Sequence, residues 1–247
     1  ADKELLTQAR PGAELIGCAG LGKSNAGTSF DSQTRINALM ASKARQGKIV
    51  ARLKNGDPFI FGRACEELEF LCKKKIEFEV VPGISAAQAC ACFTGIPLTG
   101  RGSAGSVVFV RGQEAAGREK SVIEWKSIAG NSTIVLYMAV KNIAGIVNEL
   151  IKAGRPADSM AAVVSNAARI DQRFLTAKLK TIPAAVEKAG IKAPAVFIIA
   201  QTVSRPKAFN WLEKNRRILY TGLSERWVSK RGTVFCLPMV KIKPLGD

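Results

Sequence analysis

Between Lys48 and Glu67 a short apolar run meets an Asn-Gly-Asp-Pro turn and then a helical pattern, and few folds accommodate that order. Ile49-Val50-Ala51-Arg52-Leu53 has the composition of a buried parallel strand. Asn55-Gly56-Asp57-Pro58 ends it, because glycine reaches backbone angles closed to other residues and Pro58 forces Asp57 out of the helical region. From Cys65 the apolar residues Leu68, Phe70 and Leu71 follow a helical period. A strand that turns through Gly-Asp-Pro into a helix sets a bare loop at the carboxyl edge of a sheet, where open α/β folds bind ligands. The segment is therefore a candidate small-molecule site, to be weighed against a plain tight turn.

Three stretches in order carry a more specific signal. Arg52 to Leu71 reads RLKNGDPFIFGRACEELEFL, Phe78 to Ala87 reads FEVVPGISAA, and Gly95 to Thr99 reads GIPLT. Together they closely resemble the uroporphyrinogen-III C-methyltransferases of the tetrapyrrole methylase family. The likeness continues more weakly from about Leu5 to Trp211. It implies a two-domain α/β fold with the active site in the interdomain cleft. It also implies S-adenosyl-L-methionine as methyl donor, S-adenosyl-L-homocysteine as product, a small tetrapyrrole as substrate and a homodimer.

Composition narrows the alternatives. The 247 residues suffice for one large or two modest domains with a real core. No apolar run approaches the roughly eighteen residues of a membrane span, and no hydrophobic leader shows from Ala1 onward. The formal net charge is +17, with no histidine. Such a surface suits nucleic acid, acidic membrane or a polyanionic small molecule. The basic residues are not interleaved with aromatics, which make up only 6% of the chain, so a base-stacking platform is disfavoured. A substrate with many carboxylates fits better, although a generally basic surface explains most of the lysines. Neither a nucleic-acid nor a membrane partner is expected. Without histidine, His-based triads and His metal sites are excluded. The cysteines, Cys18, Cys65, Cys72, Cys90, Cys92 and Cys236, form no Cys-x-x-Cys pair. They read as small buried hydrophobes in a reducing, cytoplasmic compartment, with no metal expected.

Near the start, Ala13-Glu14-Leu15-Ile16 reads as a strand, and Gly17 to Ser24 (GCAGLGKS) matches the phosphate-loop pattern. A true phosphate loop needs Lys23-Ser24 to open a helix. The following residues, Asn25 to Ser32, show no helical period, so a nucleotide hydrolase is the weaker reading. The resemblance gives the same residues another role. Gly22-Lys23 and Gln33-Thr34-Arg35-Ile36-Asn37 are similar to the family's Gly-Lys loop and Gln-x-x-Ile-Asn helix. Lys23 then matches its catalytic lysine, the alternative being one more exposed lysine. A helix is predicted over Ile36 to Gln46, ended by Gly47. Family members open with a further strand, a Gly-rich loop and an acceptor aspartate that have no counterpart after Ala1. Weak ligand binding with little turnover is therefore expected of these residues alone.

The resemblance assigns cofactor contacts to Asn55, Gly56, Asp57, Ile60, Ser85, Ala86, Met138 and Ala167. Ser85 also reads simply as a helix cap, and Met138 as a core or loop residue. Ala167 stands where the family has glycine, which would hinder a backbone needing positive φ. Lys54, Arg63 and Arg101 are candidates for substrate carboxylates, since a guanidinium pairs with them bidentately.

The domains expected are 1–112, 113–213 and a third segment, 214–247. The first should hold a mainly parallel sheet and the second a mixed one. The third is similar to the opening of a uroporphyrinogen-III synthase domain. The implied reaction is transfer of methyl groups to ring carbons of uroporphyrinogen III, giving precorrin-2 for sirohaem or cobalamin. Another precorrin methylase and a relative that only binds ligand are the alternatives.

Overall fold

A computed structural model describes residues 6–18, 29–113, 123–169, 171–204 and 239–242. The chain divides into two compact units, residues 1–85 with 234–247, and residues 86–233. That division falls earlier than the expected 112, because the segment after Ser85 packs within the second unit. The helix that follows Ser85 buries Ala87 and Cys90 in one cluster with Val135, Val164 and Ile198.

In the first unit, helix α1 (Ser29–Arg45) leads to strand β1 (Val50–Leu53), helix α2 (Ala64–Lys73) and strand β2 (Phe78–Val81). Helix α1 begins earlier than Ile36. Its spacing buries Gln33, Ile36, Asn37, Met40, Ala41 and Ala44 along one face. Gly47, at φ +72°, ends it with its amide on the Ala44 carbonyl at 3.0 Å. Ile36, Met40 and Ala44 cluster with Leu71 of α2 and Ile76. The strand expected at residues 13–16 does not form.

The sheet of this unit departs from the parallel expectation. Strand β8 (Met239–Ile242) lies between β1 and β2 and pairs antiparallel with both. Of the segment expected from 214 to 247, only these four residues are among those described.

The second unit contains α3 (Ala86–Thr94), β3 (Val107–Arg111), α4 (Trp125–Ala129), β4 (Thr133–Tyr137), α5 (Ile143–Lys152), β5 (Met160–Ser165), β6 (Arg173–Lys178), α6 (Ile182–Lys188) and β7 (Ala195–Ala200). The sheet order is β3-β4-β7-β5-β6, with β3 parallel to β4 and the other pairs antiparallel, so it is mixed. Alternation by two sends Ile134, Leu136, Phe197 and Ile199 to one face, against Ile146 and Leu150 of α5. Val135, Val196 and Ile198 face the other way, against Ala87 and Cys90 of α3. Buried on both faces, these strands read as continuous apolar runs.

Among the described cysteines, all expected to be buried, only Cys90 is; Cys65, Cys72 and Cys92 are exposed and Cys18 is half-buried. Cys65 and Cys72 lie on α2, off the stripe of Ala64, Glu67 and Leu71 that the helix buries. Cys236 lies outside the described residues. No described helix is long and apolar enough to cross a membrane.

Candidate functional site

The loops that follow β1 and β2 are tied together by Asp57. Its Oδ1 accepts the Phe59 amide at 2.9 Å, closing a tight turn on Pro58. Its Oδ2 accepts the Gly83 amide at 3.2 Å, reaching across to the loop after β2. The Asp57 amide in turn donates to Ser85 Oγ at 3.3 Å. Gly56 completes the contact. It sits at φ +74°, and a Cβ there would lie 3.4 Å from Ser85 Cα. A larger residue would be strained by its backbone at this positive φ, while its Cβ would rest in ordinary contact with Ser85.

Gly62 closes the other end of the turn, where a Cβ would collide with the Pro58 carbonyl oxygen. Phe61 and Arg63 flank it at φ 53° and 60°. Phe59, Phe61 and Ile84 stay largely exposed, so the joined loops carry an apolar rim around polar backbone. That combination of a few oriented polar groups and apolar surface suits a small ligand. Ile60, on the same turn, is half-buried, and Asn55 is exposed.

Ser85 therefore serves the first unit's loops. The helix-start amide of Ala87 is met by the Tyr137 hydroxyl, which accepts it at 3.1 Å. In the second unit Ala86 is exposed. Met138, directly after β4, is 40% exposed and held at φ 56°. Around Ala167 the positive φ values belong to Asn166 (50°) and Ala168 (66°), so alanine at 167 meets no such conflict. Gln172, buried, anchors this turn by accepting the Ala168 amide at 2.9 Å and donating to the Phe93 carbonyl at 3.1 Å.

The three basic candidates differ sharply. Arg101 is exposed in a turn closed by a bridge between Gly100 and Ala104. Arg63 caps the start of α2, and its Nε donates to Glu66 Oε1 at 2.9 Å. That bond raises its pKa further above the ordinary range. Lys54 does not reach outward. Its Nζ is buried and lies 2.6 Å from Oε2 of Glu67, a residue with no exposure at all. Burial lowers the Lys54 pKa against the opposing pull of Glu67. The expected carboxylate grip by Lys54 thus gives way to an internal ion pair.

Glu67 was not marked by sequence reasoning. Its signal was its register: Ala64, Glu67 and Leu71 are the positions at which α2 faces the core. Lys23, with the rest of the Gly-Lys loop, lies outside the described residues. An apolar cavity of 440 Å³ lies against α1 and β1, lined by Leu15, Ile16, Ile36 and Met40 among others, and by none of the candidate contacts. Among the described residues no cluster of acidic and cysteine side chains could hold a metal ion.

Comparison with known proteins bears on this site. The family described as Tetrapyrrole (Corrin/Porphyrin) Methylases matches residues 5–183. An S-adenosyl-L-methionine-dependent uroporphyrinogen III methyltransferase from Methanosarcina barkeri is 41% identical over 179 residues, 72% of this chain and 70% of that protein. A siroheme synthase from Methylococcus capsulatus is 44% identical over 180 residues, 72% of this chain but 38% of that longer protein. The uroporphyrin-III C-methyltransferase of Thermus thermophilus, solved with S-adenosyl homocysteine, superposes with a TM-score of 0.61 at 33% identity, covering 69% of this chain and 74% of that one. A cobalt precorrin-4 methyltransferase shares the fold, with a TM-score of 0.70 at 23% identity over 83% of this chain and 81% of its own. With its α/β units and a match running through both sheet-edge loops, the chain belongs to the tetrapyrrole methylase family.

Proposed function

We propose that this chain transfers methyl groups from S-adenosyl-L-methionine to ring carbons of uroporphyrinogen III, giving precorrin-2 for sirohaem or cobalamin formation. The observation that carries the reading is the Asp57–Ser85–Gly83 lock, which joins two loops at the carboxyl ends of β1 and β2 inside the segment matched to the family. The names of the relatives from Methanosarcina and Thermus support both donor and substrate.

The residues present fit such a ligand. Gly56 leaves room for close approach beside Ser85. Asn55 and Ile60 stand on the same turn, and Phe59, Phe61 and Ile84 offer apolar cover. In the second unit Ala86, Met138 and Ala167 are further candidate contacts, and the exposed Arg101 is the candidate for a substrate carboxylate. Arg63 could serve there only by sharing its charge with Glu66. The donor's sulfonium supplies an already activated methyl group, and the electron-rich pyrrole carbon is the nucleophile. The protein's work is then chiefly alignment and exclusion of water. Asp57 acts in this scheme by fixing loop geometry. Lys23 is proposed as the catalytic lysine through the resemblance alone. A homodimer in the cytoplasm completes the reading.

Titration calorimetry with S-adenosyl-L-homocysteine, paired with mass analysis of uroporphyrinogen III incubated with the donor, tests this. Weak binding and slow methyl gain are expected of these residues alone. Methylation of a later precorrin in place of uroporphyrinogen would redirect the substrate. Magnesium-dependent nucleotide binding abolished by Lys23→Ala, without S-adenosyl-L-homocysteine binding, would replace the reading with a phosphate-loop protein.

A further inference from the structure

Glu67 is the most fully buried charge among the described residues, and three side chains converge on it. Lys54 Nζ reaches Oε2 at 2.6 Å. Arg52 Nε donates to Oε1 at 3.1 Å, and Gln33 Nε2 donates to the same oxygen at 3.0 Å. Gln33 also donates to Asn37 Oδ1 at 2.9 Å. One carboxylate thereby links α1, β1 and α2. Burying such a cluster carries a desolvation cost that its mutual attraction only partly offsets, so apolar side chains of similar volume would often serve stability as well. What apolar packing could not do is fix the end of β1 by directional bonds. Lys54 is the residue immediately before Asn55-Gly56-Asp57, and Arg52 Nη1 also holds the Leu53 carbonyl at 3.0 Å. The strand is therefore pinned at the two residues preceding the loop.

We infer that Glu67 is a positioning residue, which holds Lys54 and Arg52 so that the Asn55–Asp57 loop keeps its lock on Gly83 and Ser85 and remains shaped for its ligand. The ligand part of this inference rests on the function proposed above. The loop part does not. A well-satisfied buried network of this kind is rigid, and a rigid support is what a binding loop requires.

Hydrogen exchange on the full chain without ligand is the first test. In Glu67→Gln the Asp57, Phe59 and Gly83 amides should exchange about tenfold faster, while the Thr133–Tyr137 amides of the second unit keep their protection. Lys54→Met, which removes the partner and spares the helix, should give the same pattern, and Lys54→Arg should largely restore it. Unchanged loop exchange in a folded Glu67→Gln or Lys54→Met chain overturns the inference.

Calorimetry with S-adenosyl-L-homocysteine is the second test. Glu67→Gln should weaken binding about tenfold, and adding it to Asp57→Asn should weaken binding little further, because both act through one loop. Independent losses that simply add would mean a structural role only. A wild-type chain that binds no such ligand would refute the proposed function, and the exchange result would still decide the loop.

Discussion

Asp57 holds Gly83: its Oδ2 accepts the Gly83 amide at 3.2 Å while its own amide donates to Ser85 Oγ at 3.3 Å. Asparagine in its place keeps one acceptor oxygen where two are needed, since Oδ1 already accepts the Phe59 amide. Asp57→Asn should therefore lose one of the two loop bonds, at a cost of about 1.5–3 kcal/mol, the range for a hydrogen bond to a charged group. Affinity for S-adenosyl-L-homocysteine should fall by about tenfold or more. Urea denaturation and calorimetry check the two effects, and wild-type affinity in this variant would show that the lock is not needed for binding.

The turn behind that lock depends on the absence of a side chain at 62. A Cβ there would strike the Pro58 carbonyl, a backbone atom that cannot swing aside. Gly62→Ala should destabilise the first unit by about 1–3 kcal/mol, as overpacking does. Exchange should quicken at the Ala64 amide, which bonds Pro58 at 3.3 Å. A fully wild-type urea midpoint would contradict the crowding.

Much of this arrangement was legible beforehand. The Gly-Asp-Pro turn at the end of a strand marked the loop, and the mixed sheet expected of the second domain is the one that forms. The second-unit strand Arg173–Lys178 was not legible, because its half-exposed residues lack a strong alternation of apolar and polar types. Lys54 misled for a different reason. A lysine beside a ligand loop suggests a charge for the ligand, and only the register of α2 reveals that Glu67 turns inward to claim it. Likewise the place of Met239–Ile242 between β1 and β2 is a long-range pairing that local sequence cannot specify.

Ala168 is held at φ 66°, where an L side chain crowds its own backbone. Ala168→Gly relieves that strain, partly offset by the larger entropy of glycine in the unfolded chain. A net gain of about 0.5–1 kcal/mol is expected, since αL strain is about 1–2 kcal/mol per residue. The same substitution at neighbouring Ala167, which lacks the positive φ, should stabilise nothing. Thermal melts of the two variants side by side distinguish them, and equal shifts would deny a special strain at 168.

Cys90 offers a test by pH. Burial pushes its thiol up to about 12, against about 8.5 for an unhindered cysteine. Between those values the unfolded chain releases a proton that the folded chain keeps. Its contribution to stability is therefore full below about pH 8 and is lost as pH rises, by up to about 1.4 kcal/mol per unit. The urea midpoint of the wild type should fall more steeply from pH 8.5 to 10.5 than that of Cys90→Ala. Cys90 should also resist alkylation that readily modifies the exposed Cys65 and Cys72. Parallel pH profiles would show that the buried thiol does not titrate out of step with the unfolded chain.

Strand β8 bears the final prediction. Val240 stands opposite Arg52 on one side and Val80 on the other, so β1 and β2 are joined through it in the described sheet. Proline at 240 removes a ladder donor and forces its ring into a central strand, a position that sheets almost never give it. Threonine at the same place keeps the donor and a β-branched shape. Val240→Pro should strip exchange protection from Val50–Leu53 and Phe78–Val81 together, and with it loosen the Asp57 lock at the ends of those strands. Val240→Thr should leave them close to wild type, and β4 of the second unit should be unmoved in both. If β1 and β2 stay protected in the proline variant, the two strands are held by something other than β8, and the pairing at Met239–Ile242 is incidental to the support of the loops.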